Sequence, residues 1–397
     1  MSHAAFGPLA GIPLLEDLPD LRNRQVLVRV DFNVPLSEAV GPSGTLRVED
    51  DFRIRAALPT LQWLLERGAG VTVCTHLGRP KGHPDPRFDL APVRAVLAQL
   101  APAVELRENL RFDPGEEAND PKFVARLIEG FDCYVNDAFG VSHRSHASVV
   151  GPPARLPSAA GRLLEREIEV LGGLLVHPEP PFVAVVGGSK VADKLGVLRA
   201  LLEKVDRLIV GGGMAYTFLK AAGHQVGASL LDEAKVGECV QLLDLAGERI
   251  LLPVDMVALS PGGTLGHGEV GAGEVRVFDG EVPEGWEAAD IGPVTARRYA
   301  DTLAGAGTIF WNGPMGVFED ERFAAGTRIV GEAVAAAAAY SVVGGGDSAA
   351  AVDGLGLADR IDFVSTGGGA SLELLEHGDL PGLVALRGAS NAPEAKS

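Results

Sequence analysis

Residues 181–195, Pro-Phe-Val-Ala-Val-Val-Gly-Gly-Ser-Lys-Val-Ala-Asp-Lys-Leu, read as a strand, a glycine turn and a helix. Phe182–Val186 is an unbroken apolar run, which suits a strand buried on both faces. Gly187-Gly188 permits a tight turn and a close approach of bare backbone to a ligand. A helix starting there offers unpaired N–H groups and a positive dipole end. It would also place the ammonium groups of Lys190 and Lys194, four residues apart, on one face. Together these features form a phosphate-type anion site. Taken alone, a plain strand-to-helix turn with two solvated lysines explains them equally well. The spacing is not that of a Walker A loop.

The pattern recurs down the second half of the chain. Arg207–Val210 ends in Gly211-Gly212-Gly213, and Ile250–Val254 ends in Asp255. Thr308–Trp311 ends in Asn312-Gly313-Pro314-Met315-Gly316-Val317-Phe318-Glu319. Tyr340–Val343 ends in Gly344-Gly345-Gly346-Asp347-Ser348, and Asp362–Ser365 in Thr366-Gly367-Gly368-Gly369. Strands alternating with helices predict a parallel sheet with helices on both faces. Three glycine triplets besides Gly187-Gly188 are poorly explained by turn chemistry and point to a ligand lying along the strand ends.

The first half shows the same rhythm with different chemistry. A strand over Gln25–Phe32, with Val26, Val28 and Val30 on one face and Arg29 and Asp31 on the other, runs into Asn33. A helix is expected from about Phe52 to Arg67, with Arg53 at its N-terminal end, where a cation opposes the dipole unless an anion compensates it. The strand Gly70–Thr75 is followed by His76-Leu77-Gly78-Arg79. A short strand near Val104–Leu106 precedes Glu108-Asn109-Leu110-Arg111. Cys133–Asn136 leads into Asp137 and on to His143-Arg144-Ser145-His146. Polar groups just past strand C-termini sit where open α/β sheets bind ligands. Scattered surface arginines would not recur in that position.

At 397 residues the chain exceeds the size of a single core, so two domains are expected. Residues 1–178 form the first, and the helix Arg162–Val176 followed by Pro178, Pro180 and Pro181 marks the junction. Residues 179–382 form the second, and the tail from about 383 to 397 packs back on the first. The fold class expected is α/β: two doubly wound, Rossmann-like parallel-sheet domains facing across a cleft and joined by a connecting helix. The net charge of −18 argues against nucleic acid or an anionic membrane as partner. It is uneven: residues 1–178 carry 19 basic against 23 acidic residues, with 17 of the 19 being Arg. Arg suits bidentate recognition of carboxylate and phosphate. Cys74, Cys133 and Cys239 are too few and too far apart for a disulfide framework or a zinc site. With no signal-peptide pattern and no membrane-length apolar run, a cytoplasmic location is expected; Ala333–Ala339 reads as a packed helix.

Two sites follow. The first half offers Arg, His, Asp and Asn to a small, highly anionic ligand. The second offers glycine loops, helix N-termini, two lysines and Asp347. That carboxylate fits either an N-cap or Mg²⁺ held jointly with nucleotide phosphates. Glu319 could accept hydrogen bonds from ribose hydroxyls. Two anion sites on two domains suggest phosphoryl transfer, which is mainly positioning and charge neutralisation. No general base stands out, which fits a nucleophile already ionised at pH 7, such as a carboxylate.

From about Leu15 to Gly382 the chain resembles phosphoglycerate kinase. The matching stretches are Arg29–Pro35, His76–Pro80, Glu108–Phe112, Asn136–Gly140, Gly187–Val191, Gly211–Ala215, Asp290–Pro293, Trp311–Gly316 and Gly344–Ser348. The resemblance implies reversible transfer of the acyl phosphate of 1,3-bisphosphoglycerate to Mg-ADP, giving 3-phosphoglycerate and ATP, by direct in-line transfer after hinge-bending closure. It implies a glycerate site of Asp31, Phe32, Asn33, Arg53, His76, Leu77, Gly78, Arg79, Arg111 and Arg144. It implies a nucleotide site of Lys194, Gly211, Gly212, Asn312, Pro314, Glu319, Gly345, Gly346, Asp347 and Ser348, with Asp347 at Mg²⁺. Arg53, Lys190 and Lys194 would neutralise the phosphoryl group in flight, and a monomer is implied. Three places depart from the usual pattern: Ala288-Ala289 before Asp290, His377-Gly378-Asp379, and a long loop over Ser37–Arg47. None touches the phosphate or metal positions.

Two other readings compete. A dinucleotide-dependent dehydrogenase would need Gly-x-Gly-x-x-Gly with an acidic residue about 20 positions on, and no convincing instance is present. A non-catalytic nucleotide-binding scaffold of the same fold would be favoured by loss of Lys194, Arg53 or Asp347; all three are in place.

Overall fold

The computed structural model describes residues 7–37, 46–266 and 271–389. Two compact units emerge. The first takes the described residues up to Gly173 and resumes at Asp379; the second is Leu174–Gly378.

In the first unit β1 (Gln25–Val30), α1 (Phe52–Glu66), β2 (Gly70–Cys74), α2 (Ala91–Leu100) and β3 (Glu105–Leu106) succeed one another. α3 (Pro121–Ile128), β4 (Cys133–Asp137), α4 (Ala147–Val150), β5 (Ser158–Ala160) and α5 (Arg162–Val176) follow. The strands pair in parallel in the order β3-β2-β1-β4-β5. The order reverses between β1 and β4, so the residues just past those two strands border the crevice where such sheets take ligands. Ile54, Ala57, Leu61 and Leu64 pack α1 onto β1 and β2 through Val28, Val30, Val71 and Val73. The division between units falls inside α5, and α13 (Pro381–Ala389) belongs to the first unit. Gly382 N donates to Ser142 O at 2.8 Å and Arg387 Nε to Ala10 O at 3.1 Å.

β1 departs from the expected two-faced strand: all of Val26–Val30 is buried, Arg29 included. A central parallel strand is covered on both sides, so the Arg29 guanidinium is satisfied internally. It donates to Ser148 Oγ at 2.8 Å and to Val30 O, and lies 4.0 Å from the buried Glu116 carboxylate.

The second unit holds β6 (Phe182–Val186), α6 (Leu195–Leu202), β7 (Arg207–Val210), α7 (Met214–Ala221), α8 (Val236–Ala246) and β8 (Ile250–Leu251). Next come β9 (Asp255–Leu259), β10 (Val275–Asp279), β11 (Glu287–Ile291) and α9 (Pro293–Ala304). β12 (Thr308–Asn312), α10 (Ala325–Ala336), β13 (Tyr340–Val343), α11 (Gly346–Gly354), β14 (Phe363–Val364) and α12 (Gly369–His377) complete it. The parallel sheet is ordered β14-β13-β12-β6-β7-β8. Every residue of β6 is buried, as its apolar run requires. The order reverses between β12 and β6, so Gly187-Gly188 and Asn312-Gly313 lie side by side at the switch point.

Four expectations need correction. The helix after Gly187-Gly188 begins at Leu195, leaving Lys190 in a loop and Lys194 at the N-cap. Val191, Leu195, Leu198 and Leu202 keep helical spacing through that loop, so periodicity could not locate the helix start. The strand expected over Ile250–Val254 is cut to Ile250–Leu251. Asp255 opens β9 rather than ending a strand, and β9 joins β10 and β11 in a separate antiparallel sheet, β10-β9-β11. Its carboxylate caps α9, accepting from Val294 N at 2.9 Å and Thr295 N at 2.8 Å. Only the first part of Ala333–Ala339 is helical, since α10 ends at Ala336. Much of the Ser37–Arg47 loop, 38–45, lies outside the described residues, as does the tail beyond 389; at the loop's base Ser37 N donates to Arg47 O at 2.8 Å.

Candidate functional site

In the first unit, the segments leaving β1, β2 and β3 and the N-terminus of α1 converge on Asp31. Arg53 Nη1 donates to Asp31 Oδ2 at 2.7 Å, so this carboxylate is the anion that offsets a cation at the start of α1. His76 Nδ1 lies 3.7 Å from Asp31 Oδ1 and 3.4 Å from Arg29 Nη2. Asn33 Oδ1 accepts from Gly78 N at 2.8 Å, and Gly78 O accepts from Arg111 Nη1 at 2.8 Å. Asn33 N also donates to Asp31 Oδ1 at 3.3 Å, so Asp31, Asn33, Arg53, Gly78 and Arg111 are linked by hydrogen bonds, with His76 beside Asp31. Arg79 and Arg144 are exposed and make no ion pair among the described residues. Phe32 and Leu77 have their side chains in the hydrophobic core, so only their backbone can face a ligand.

Burial pushes His76 down to about 3 despite Asp31 beside it, and pushes His143 down to about 4. The positive charge of this site at neutral pH is thus carried by arginines. Asp31 is held below the usual carboxylate range: burial opposes this, but Arg53, then His76 and Arg29, outweigh it. Among the described residues, two buried ring nitrogens here, His143 Nδ1 and His146 Nδ1, lack a hydrogen-bond partner; Arg111 Nε makes no hydrogen bond either but lies 3.3 Å from Glu117 Oε1. Unsatisfied buried polar atoms are costly, and the place of these two beside exposed arginines suits a ligand with polar groups of its own. Sequence reasoning did not single out Arg29, Glu116, His143 or His146 as site residues. The spacing of His143 and His146 past β4 was the available signal. Glu116 is far from any strand end and is brought in only by packing: its carboxylate accepts from Ser148 Oγ at 2.6 Å and Ser148 N at 2.9 Å.

In the second unit, two cavities adjoin. One, about 250 Å³, is lined by Gly188, Ser189, Lys190, Asp193, Lys194, Asn312, Gly313, Gly345–Ser348, Gly368, Gly369 and Leu372. The N-cap positions of α6, α11 and α12, which are Lys194, Gly345 and Gly368, all border it. Three positive helix ends and two lysines define an anion site. The other cavity, about 320 Å³, is lined by Gly188, Ser189, Gly212, Gly213, Tyr216, Leu230, Leu265, Glu287, Ala288, Ala289, Pro314, Gly316, Val317, Glu319 and Asp347. The two share Gly188, Ser189 and Asp347. A cavity lined by lysines, glycines and helix N-termini, joined to one lined by apolar side chains, glycines and the carboxylate residues Glu287, Glu319 and Asp347, has the chemistry to take a polyphosphate at one end and a ribose and base at the other.

Glycine is required where the loops cross. Gly212 has φ +65°, and a Cβ there would lie 2.5 Å from Gly188 N and 2.8 Å from Pro314 O. Gly313 has φ +94°, and its Cβ would lie 2.9 Å from Lys194 Nζ. Lys194 Nζ donates to Gly187 O and Asn312 Oδ1, both at 2.6 Å. Burial lowers its pKa to about 8, against the pull of Asp347 and Asp193. Gly211 lines neither cavity, being packed on Met315. Asp347, at the second position of α11, is exposed. Among the described residues no cluster of three or more His, Cys, Asp or Glu could hold a metal. A divalent ion here would be held by Asp347 together with phosphate oxygens and water, the usual manner of Mg²⁺. Among the described residues no helix is long and apolar enough to cross a membrane.

Comparison with known proteins finds one family across both halves of the chain. The phosphoglycerate kinase family model matches residues 15–107 and 102–378. A phosphoglycerate kinase of Rubrobacter xylanophilus is 50% identical, the match covering 92% of this chain and 96% of that protein. One of Moorella thermoacetica is 51% identical over 94% of this chain and 98% of its own. Among solved structures, phosphoglycerate kinase from Coxiella burnetii aligns with a TM-score of 0.82 at 40% identity, covering 94% of this chain and 98% of that one. That from Pyrococcus horikoshii gives 0.81 at 32% identity, covering 96% and 99%. With its family model spanning nearly the whole length and relatives at half identity, this chain belongs to the phosphoglycerate kinase family.

Proposed function

We propose that the chain transfers the acyl phosphate of 1,3-bisphosphoglycerate to Mg-ADP, reversibly, giving 3-phosphoglycerate and ATP. The observation that carries the nucleotide half is the pair of adjoining cavities in the second unit, with Lys190, Lys194 and three helix N-caps at one end and Glu319 at the other. The glycerate half rests on the hydrogen-bonded group of Asp31, Asn33, Arg53, Gly78 and Arg111 in the first unit, with His76 beside Asp31 and the exposed Arg79 and Arg144 as further ligands. In this reading residues 1–178 are the glycerate domain and 179–382 the nucleotide domain.

The chemistry follows from the groups present. The nucleophile in the ATP-consuming direction is the carboxylate of 3-phosphoglycerate, already ionised at pH 7, so no protein base has to take a proton. The cost of the reaction is charge: a carboxylate meets a polyphosphate. Arg53 from the glycerate side, and Lys190 and Lys194 with the N–H groups of α6, α11 and α12 from the nucleotide side, lower that cost. The Arg53–Asp31 bond presets the guanidinium on a rigid helix start. Mg²⁺, when bound with the nucleotide at Asp347, would supply further neutralisation of phosphate charge. Hinge-bending closure would bring the two ligands into line and exclude water, which would otherwise accept the phosphoryl group.

A coupled assay with 3-phosphoglycerate and Mg-ATP, followed by oxidation of NADH, tests the activity. Steady turnover that requires both ligands is expected. A folded sample that binds ATP and does not turn over would identify a nucleotide-binding scaffold instead.

A further inference from the structure

Leu265 lines the apolar cavity and comes from outside the parallel sheet. It sits on the extension between β9 and β10, where Ser260 N donates to Glu274 O and Thr264 N to Ala272 O, each at 2.8 Å. Besides the bonds across its own arms, the extension is tied down by Asp320 and Arg322, just after Glu319 in the chain. Asp320 Oδ2 accepts from Gly266 N at 2.7 Å. Arg322 Nη2 donates to Thr264 O at 2.8 Å and Nη1 to Ala272 O at 3.3 Å, so one guanidinium spans both arms of the extension. Its remaining donors pair bidentately with Asp320: Nε to Oδ1 at 2.9 Å and Nη2 to Oδ2 at 2.6 Å. The Asp320 side chain is 3% exposed and that of Arg322 20%. A Cβ on Gly271 would lie 2.2 Å from Arg322 Nη2, so the guanidinium fills the space across the extension. Beneath it the fully buried Phe323 packs with Leu259 and Ala289, and Leu265 and Val317 rest on that cluster.

We propose that Asp320 and Arg322 are positioning residues for the base-and-ribose half of the nucleotide site, a proposal that rests on the nucleotide reading above. The pair fastens the extension carrying Leu265 to the segment carrying Val317 and Glu319, so the apolar wall and the ribose acceptor are fixed by one clasp. Neither residue lines the cavity itself. The phosphate half, built from α6, α11 and α12, makes no use of the clasp. A bidentate Arg–carboxylate pair with two further carbonyl bonds is a geometry that Lys cannot reproduce.

The test compares binding of ATP and of inorganic tripolyphosphate to the full chain by calorimetry, in wild type, Arg322→Ala, Arg322→Lys and Asp320→Asn. Loss of charge-assisted bonds holding one wall predicts ATP binding weakened about tenfold in Arg322→Ala, with tripolyphosphate binding changed less than about twofold. In steady-state assays KM for the nucleotide should rise by a similar factor while KM for 3-phosphoglycerate stays put. Arg322→Lys should restore part of the loss, and Asp320→Asn, which keeps side-chain volume, should reproduce it if Arg322→Ala folds poorly. Unchanged ATP binding in Arg322→Ala or Asp320→Asn overturns the proposal, as does an equal loss of both ligands, which marks a purely structural role. A wild type that binds tripolyphosphate as tightly as ATP overturns the nucleotide reading itself.

Discussion

Individual side chains carry most of the chemistry, and two make it testable. Lys194 has its pKa lowered to about 8 because burial opposes its charge. An ammonium must be protonated to bind phosphate, so tripolyphosphate affinity should be highest below pH 8 and fall as pH rises through it. Calorimetry between pH 6.5 and 9 on wild type and Lys194→Ala checks this; an equal pH dependence in the variant would remove Lys194 from the account. Lys194→Ala should also lower kcat strongly while 3-phosphoglycerate binding persists. Glu116 is the second case. It is fully buried, 4.0 Å from the fully buried Arg29, and anchors Ser148 through two bonds. Truncating one partner of a buried charge pair leaves the other uncompensated, so Glu116→Ala should lose about 3–5 kcal/mol of stability in urea unfolding. A loss under about 1 kcal/mol would show that Arg29 finds compensation elsewhere.

At the scale of elements, the strands were the most legible feature. Phe182–Val186, Arg207–Val210 and Tyr340–Val343 have the bounds read from the chain, because continuous apolar runs between turn residues have few other uses in a parallel sheet. Helix starts were less legible. α6 begins seven residues after Gly188, as apolar spacing continued through the loop that borders the lysine-lined cavity. The β10-β9-β11 sheet was missed for a related reason: β10 is largely exposed and its pattern carries no core face to detect. Asp255 shows how that sheet is tied in. Its carboxylate accepts from Val294 N, Thr295 N and, at 2.6 Å, Thr295 Oγ1, joining β9 to α9. Asp255→Ala should therefore cost about 2 kcal/mol, the upper range for a lost helix cap, read as a shifted unfolding midpoint. No shift would mean that water or Ser/Thr neighbours replace the cap.

At the scale of the whole molecule, each unit has its own parallel sheet, core and candidate anion site, and the proposed ligands divide between them. Ligand binding stabilises the state that binds it, and exchange protection reports where. In hydrogen-exchange measurements, ATP should protect segments among 188–372 and 3-phosphoglycerate segments among 31–144. Protection by either ligand in the other's unit alone would reverse the assignment. Much of this organisation was decided by the amino-acid sequence itself: an alternation of strands and helices, polar groups after the strands of one half, glycine loops after those of the other. These are local properties, set by periodicity and turn chemistry, and they survive being read one residue at a time. What only the tertiary structure decided is which of these groups meet. Arg29 turned inward to Glu116, Lys194 folded back on Asn312, three helix starts converged on one cavity, and Arg322 reached across to Thr264 and Ala272. Each joins residues distant in sequence, and their partnership is fixed by strand order and by the need to satisfy buried charge, neither of which any short stretch of chain contains.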